Sequence, residues 1–200
     1  MTTLRLAGSL ILALAFEAAA QAPWPRDPTP ERVTFMGGVG GLFPVGRFAD
    51  AADSGFAPSI GGFFRANKVL AHAFHFQYGH LEADEQRLGG GETIHTFNLL
   101  TGPRLFIPLK GPVSPWVTGL IGWAHYRTDR ELPLEPLFGV GDRTRNDVML
   151  SIGGGLDFRL HPVFSVGIDA RALFSIATSD SRGEDNLTAM TVSGLAMFHF

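Results

Sequence analysis

The chain has 200 residues, a formal net charge of −3 and no cysteine. The lack of cysteine excludes disulfides and thiolate metal sites, and the slightly acidic charge gives no basic footprint for nucleic acid. The 25 Gly and 17 Phe residues instead favour closely packed strands with large apolar faces. No stretch after Phe16 approaches the roughly 18 continuous apolar residues of a spanning helix, so we exclude a helical membrane protein.

The first residues have the pattern of a secretory signal peptide. Arg5 supplies a basic start, residues 6–16 are apolar, and Ala18–Ala20 fit an A-x-A cleavage pattern. The apolar run is too short to cross about 30 Å of hydrocarbon. The predicted domains are a cleaved signal peptide (1–20), a Pro-rich extended periplasmic lead-in (21–31) and one β-barrel domain (32–200).

The rest of the chain repeats one unit, an alternating strand followed by turn residues. A two-residue period is expected of a spanning strand because one face meets lipid and the other meets the lumen. The predicted strands are 33–45, 58–66, 70–82, 93–107, 115–127, 147–160, 163–177 and 188–200. Long connections alternate with tight ones, as in outer-membrane barrels with tight periplasmic turns. We therefore predict an all-β fold, an eight-stranded antiparallel up-and-down transmembrane β-barrel.

Aromatic residues recur on the strand faces predicted to meet lipid. A spacing of about ten residues climbs roughly 25 Å along a strand tilted near 40°, which is the height of the apolar band. We therefore predict Phe164 and Phe174 on the seventh strand as membrane-interface aromatics. The same spacing predicts Trp116 and Tyr126 as interface aromatics of the fifth strand, with Trp123 facing inward. The alternative for these rings is the core of a soluble sandwich.

The opposite strand faces carry polar, small and charged residues. Soluble eight-stranded carriers of the lipocalin type have the inverse arrangement, so the pattern favours lipid outside. Eight strands leave an interior just wide enough for side chains to fill, and charged groups there should pair. The predicted lumen polar network is Arg65, Arg104, Asp157, Asp169 and Arg171.

Patterns for metal binding and catalysis are weak. His72 and His80 share a strand face but lie too far apart for one ion, and His75 should join the lumen. His125 could meet three polar residues near the outer rim, Ser179, Asp180 and Glu184, but polar strand ends meet in every barrel. We predict no metal, no cofactor and no enzyme activity.

Three features of the chain are typical of one family: the segment from Gly40 to Asp50 ahead of Gly55, the alternating strands and the aromatic terminus. Over the whole mature chain, the sequence resembles the small outer-membrane β-barrel domain family, which is related in architecture to OmpA, OmpX and OmpW. The resemblance implies a location in the bacterial outer membrane. It also implies outer-membrane lipid and lipopolysaccharide as partners.

In such families the barrel-assembly machinery reads a C-terminal pattern during insertion. The resemblance assigns this assembly signal to Ser193, Phe198 and Phe200. Leu195 stands where the pattern has glycine, and Gly194 comes one residue early.

The sequence predicts a non-enzymatic outer-membrane protein that acts in surface interaction or envelope integrity through its outer loops. One alternative is a narrow, porin-like conduit of the OmpW type for small apolar compounds. A lipid A-modifying barrel enzyme is the other, although the His-x-Ser pair of the deacylases is missing. Lumen packing separates the first two, because an Arg and Asp ladder blocks passage and an apolar trough allows it. No nucleic-acid partner is expected, and the sequence names no surface ligand.

Overall fold

The computed structural model describes residues 33–50, 52–82, 93–128, 144–177 and 187–200. The predicted signal peptide (1–20) and lead-in (21–31) lie outside the described residues. Residues 83–92, 129–143 and 178–186, which belong to three of the long connections, lie outside them as well.

Nine strands follow one another in the described ranges. They are β1 (Val33–Val45), β2 (Gly55–Phe56), β3 (Ser59–Arg65), β4 (Leu70–Glu82), β5 (Thr93–Phe106), β6 (Val113–Thr128), β7 (Thr144–His161), β8 (Phe164–Ala177) and β9 (Thr188–His199). β2 and β3 lie end to end, since both pair with β1 and β4. The nine strands therefore make a ring of eight spanning segments. Among the described residues, no helix has the length and hydropathy needed to cross a bilayer.

The sheet closes on itself. Each spanning segment pairs antiparallel with the next, and β1 pairs with β9 from Thr34 opposite His199 to Val45 opposite Thr188. Closure matters because an open edge would leave backbone donors and acceptors without partners in hydrocarbon. The predicted eight-stranded transmembrane β-barrel is confirmed.

The connections at one end of the barrel are tight and have identifiable turn chemistry. The Asn67 side-chain oxygen accepts hydrogen bonds from the backbone N–H groups of Val69 and Leu70, both at 2.8 Å. Gly111 has φ of 121°, a conformation that glycine adopts without steric cost. We call this end, where Phe200 also lies, the periplasmic end, as the sequence predicted.

Side chains alternate between an apolar outer surface and a buried interior. In β9, Val192 and Phe198 are half exposed, whereas the residue before each of them, Thr191 and Met197, is buried. The same alternation on other strands produces a continuous outer apolar band. Its exposed members include Phe35, Val39, Ile60, Phe74, Leu99, Ile121, Ile152 and Ile168. Such a band is what a transmembrane barrel presents to lipid.

The predicted strand bounds agree with the structure to within two residues except in two places. β7 begins at Thr144, three residues before the predicted start, so the strand includes the inward-facing Arg145. The second spanning segment is interrupted at Ala57 and Pro58. Proline has no N–H to donate to a neighbouring strand, which explains the break.

The faces predicted for the fifth strand, which is β6 in the structure, are wrong. Trp116 and Tyr126 are 1% and 3% exposed, so both rings face the interior and not the membrane interfaces. Trp123, predicted to face inward, is 48% exposed on the outer surface. Spacing cannot distinguish the two faces when both carry aromatic rings, and the interior offers the Trp116 indole a hydrogen-bond acceptor. On β8, Phe174 faces outward and is 40% exposed.

Candidate functional site

The middle of the barrel interior contains an ion pair within β8. Asp169 and Arg171 are two positions apart, so both side chains point inward. Arg171 Nε donates to Asp169 Oδ1 at 3.0 Å, and a terminal guanidinium nitrogen contacts Oδ2. Their side chains are 2% and 1% exposed. Each charge therefore has an opposite charge beside it in a region that excludes water.

A second interior cluster surrounds Arg104. Its guanidinium carbon lies 3.9 Å from the Trp116 ring centroid and 4.7 Å from that of Phe63. A terminal nitrogen lies 3.7 Å from the sulfur of Met36. A planar cation over aromatic faces is stabilised by the ring quadrupoles, so Arg104 is held between aromatic side chains.

Trp116 connects this cluster to Asp157. The indole Nε1 donates to Asp157 Oδ1 at 2.7 Å, and both residues are buried. Sequence analysis placed Arg104 and Asp157 in one network, and the structure brings them together through the same indole. The sequence pattern does not show this role of Trp116, because the ten-residue spacing predicts the ring on the lipid-facing surface.

Arg65 lies nearer the periplasmic end. Its guanidinium carbon is 4.0 Å from the Phe106 ring centroid and 5.7 Å from that of Phe63. The predicted network is therefore arranged as an ion pair and an aromatic-cation cluster, and inward aromatic rings occupy much of the space between charges.

Sequence analysis missed a further ion pair at the outer end. Arg145 Nε donates to both carboxylate oxygens of Asp147, at 3.0 and 2.9 Å, and both side chains are buried. The sequence predicts a loop over residues 128–146, so Arg145 is not part of the predicted network. The signal was its parity, since Arg145 and Asp147 continue the inward series that includes Ser151.

Apolar side chains close the outer half of the interior. The 3₁₀ turn Gly46–Phe48 follows β1 and places Phe48 inside the barrel, where its ring meets Tyr126 edge-on at 6.5 Å. Leu42 and Leu187 also line this region, around a cavity of about 10 Å³, which has room for about one water molecule. Thr96 and Asn98 line the same cavity, so apolar and polar side chains together occupy the interior at this level.

A histidine links three spanning segments near the periplasmic end. His199 Nδ1 lies 2.9 Å from the Thr34 hydroxyl, and Nε2 lies 2.6 Å from the Ser165 hydroxyl. All three residues are buried. A serine beside an imidazole is the start of a nucleophile and base pair, but Thr34 supplies a neutral hydroxyl where hydrolases place a carboxylate. We interpret this group as a structural one, whose hydrogen bonds join β1, β9 and β8 where the barrel closes.

The three histidines of β4 lie on the predicted sides of that strand. His75 is buried in the interior, whereas His72 and His80 are exposed on the outer surface. In the part of the chain that the structure describes, His, Asp and Glu side chains form no group of three that could hold a metal ion. The polar residues 179–184, considered as partners of His125, lie outside that part.

The predicted assembly-signal residues lie on β9 and just after it. Ser193 faces inward, and Phe198 and Phe200 face outward, with Phe200 71% exposed. The ring centroids of Phe200 and Phe35 of β1 are 6.1 Å apart, and those of Phe198 and Phe164 of β8 are 5.3 Å apart. The terminal rings thus join an aromatic group on the membrane-facing side of the closure.

Comparisons with known proteins agree with this architecture. Neisserial surface protein A superposes with a TM-score of 0.60 at 11% identity, covering 84% of this chain and 97% of that one. Ail, the attachment invasion locus protein of Yersinia pestis, gives 0.52 at 19% identity, covering 85% and 99%. The N-terminal β-barrel domain of Pseudomonas aeruginosa OprF gives 0.50 at 12% identity, covering 85% and 98%.

A scan against protein-family models finds no match, and a search of curated proteins finds none either. At these identities the solved structures are informative about fold alone. The chain has the fold of the eight-stranded outer-membrane β-barrels, as its resemblance to the small outer-membrane β-barrel domain family predicted.

Proposed function

We propose that this protein is a non-enzymatic outer-membrane barrel whose outer loops act in surface interaction or envelope integrity. The observation that carries the proposal is the filled interior. Charged and aromatic side chains occupy its middle, and Phe48, Leu42 and Leu187 occupy its outer half. A filled barrel is a rigid scaffold, and on rigid scaffolds the functional residues lie mainly on the surface loops.

The proposed location is the bacterial outer membrane. The continuous apolar band and the closed sheet support membrane insertion, since each is a requirement of a spanning β-barrel. The signal-peptide pattern over residues 1–20 supports export, and cleavage of that segment is part of the proposal. Insertion by the barrel-assembly machinery and contact with lipopolysaccharide are further parts of it.

The conduit alternative requires a continuous passage. The small cavity beside Tyr126 is far below the size of a solute path, and Arg104 between its aromatic neighbours lies deeper along the same axis. This packing favours the surface role over the conduit.

We expect purified protein in a planar bilayer to pass no steady ion current, because the interior is occupied by side chains. Insertion is verified independently by the electrophoretic mobility of the unheated protein. Stable, reproducible single-channel steps from pure protein would favour the conduit and contradict the proposal.

Exchanging residues 129–143 for a short Gly-Ser linker tests the role of the loops. The pairing of β6 with β7 begins at Arg127 opposite Thr144, so the exchange removes none of the described ladder. We expect normal amounts of folded protein in cells that are as sensitive to detergent as cells that lack the protein. The matched variant exchanges residues 83–92. If a variant with both segments exchanged gave cells the detergent resistance of the wild type, the function would reside in the barrel and not in these loops.

A further inference from the structure

Arg104 is a buried cation without an oxygen partner among the described residues. It is 1% exposed, and its guanidinium nitrogens Nε and Nη1 have no hydrogen-bond partner there. The remaining guanidinium nitrogen contacts the sulfur of Met36, which is a weak acceptor. The aromatic rings on its faces stabilise the charge but accept nothing in the plane of the guanidinium. Buried polar groups are nearly always hydrogen-bonded, so these N–H groups require an acceptor.

The two carboxylates in this part of the interior already have donors of their own. Asp169 is bound to Arg171, and Asp157 accepts from the Trp116 indole. Neither carboxylate is hydrogen-bonded to Arg104. Toward the periplasmic end, the described strands carry two more inward-facing charged residues, Arg65 and Arg159. Positive charge is therefore in excess along the inward-facing positions of these strands.

Small residues form a recess beside Arg104. Ala73 of β4 lies directly opposite Gly102 of β5, and both are buried. Arg104 is the next inward-facing residue after Gly102, and His75 is the next inward-facing residue after Ala73. Because the two strands are antiparallel, Arg104 and His75 lie on opposite sides of the recess. His75 is 3% exposed, and its Nδ1 also has no hydrogen-bond partner among the described residues.

Arg171 approaches the same region from β8. A row of directly opposed residues runs from Arg171 through Gly153 and Thr118 to Arg104. The Arg171 stem leans over Gly153, since a β-carbon there would be 2.5 Å from Arg171 Cγ. The side chain thus extends toward β7 and the side of the barrel that carries Arg104. The two arginines are close enough to repel each other, and both act electrostatically on His75.

We propose that Arg104, Arg171 and His75 bind one small inorganic anion of the chloride class at the recess formed by Ala73 and Gly102. Guanidinium groups are positive at every pH at which proteins fold, so binding requires no change of protonation. A monovalent anion would accept from the unpartnered N–H groups and reduce the repulsion between the two arginines. Water could accept the same hydrogen bonds but would leave that repulsion in place. The site goes beyond the surface role proposed above, because the anion would stabilise the barrel itself.

Trp116 can report on the site, because the Arg104 guanidinium carbon lies 3.9 Å from its ring centroid. In a Trp24→Phe/Trp123→Phe background, Trp116 is the one tryptophan left of the three in the chain. This parent protein is folded from urea into phosphatidylcholine vesicles, in mixtures of sodium bromide and sodium gluconate at constant ionic strength. Bromide quenches a tryptophan that it contacts, whereas gluconate is too large for the recess. Folding in the presence of the ion avoids the need for entry into a closed barrel.

We expect saturable quenching of Trp116 at millimolar bromide, and recovery of fluorescence when chloride replaces bromide. Arg104→Met should weaken bromide binding at least tenfold, the loss expected for a hydrogen bond to a charged group. Arg104→Lys keeps the charge but loses the planar fork, so its affinity should fall between those of the parent and Arg104→Met. Arg127→Gln is the matched control, because Arg127 is exposed on the outer surface, and it should bind as the parent does.

Three results would overturn the site. They are quenching that rises linearly with bromide, quenching that chloride does not reverse, and an Arg104→Met variant that binds bromide as the parent does. Linear quenching is collisional and would assign the recess to water. The urea midpoint of the wild type provides a second measurement, which also decides the question if Arg104→Met does not fold. It should be higher in chloride than in gluconate at equal ionic strength, and equal midpoints would contradict a bound anion.

Discussion

Replacing Asp169 by alanine should lower the free energy of unfolding by about 3–5 kcal/mol, because Arg171 would be left as an unpaired charge in the interior. The ion pair is nearly inaccessible to water, with side chains 2% and 1% exposed. The measurement is urea-induced unfolding in phospholipid vesicles. Asp53→Ala is the matched control, because Asp53 is exposed, and it should change stability by less than about 0.5 kcal/mol.

A second variant separates loss of the pair from loss of the carboxylate alone. Asp169→Ala/Arg171→Met removes both charges, and it should recover most of the stability lost in the single variant. The same reasoning applies to Asp157, whose removal takes the acceptor from Trp116 and an opposite charge from the neighbourhood of Arg104. An unfolding curve unchanged by Asp169→Ala would contradict the interior network.

Deleting Phe200 should leave export to the periplasm intact while sharply reducing the folded outer-membrane fraction. The resemblance assigns Phe200 to the assembly signal, and its ring is 71% exposed at the seam between β9 and β1. Deletion also removes two backbone hydrogen bonds with Val33, at 2.9 and 3.2 Å. Cell fractionation with electrophoresis of unheated samples measures both quantities.

Two point variants distinguish recognition of the ring from loss of the backbone bonds. Phe200→Ala keeps the backbone, so an assembly signal predicts a defect close to that of the deletion. Phe64→Ala removes a similarly exposed ring near the periplasmic end that is not terminal, and it should assemble normally. Normal outer-membrane amounts of Phe200→Ala would remove the terminal ring from the assembly signal.

The strands were predictable because two-residue alternation is a local property. Each strand face repeats within a few residues, and tight turns such as that at Asn67 carry their own chemistry. Closure followed from the need to satisfy every backbone group in hydrocarbon, which the pairing of β1 with β9 fulfils.

Interior contacts were harder to predict because they join distant residues. Trp116 faces inward toward Asp157, 41 residues away, and nothing near Trp116 in the sequence distinguishes that arrangement from a lipid-facing belt. Phe48 was assigned to a loop, yet the 3₁₀ turn places it against Tyr126. Neighbours on the outer surface likewise depend on cross-strand register, which relates His80 to Arg127 only through β5.

The most direct test of the account is fractionation of cells that express the intact protein. We expect the mature chain in the outer-membrane fraction, where it should migrate as a compact, heat-modifiable band before boiling. This follows from the closed sheet and its continuous apolar band. Recovery of the intact, folded protein in the soluble periplasmic fraction would contradict it.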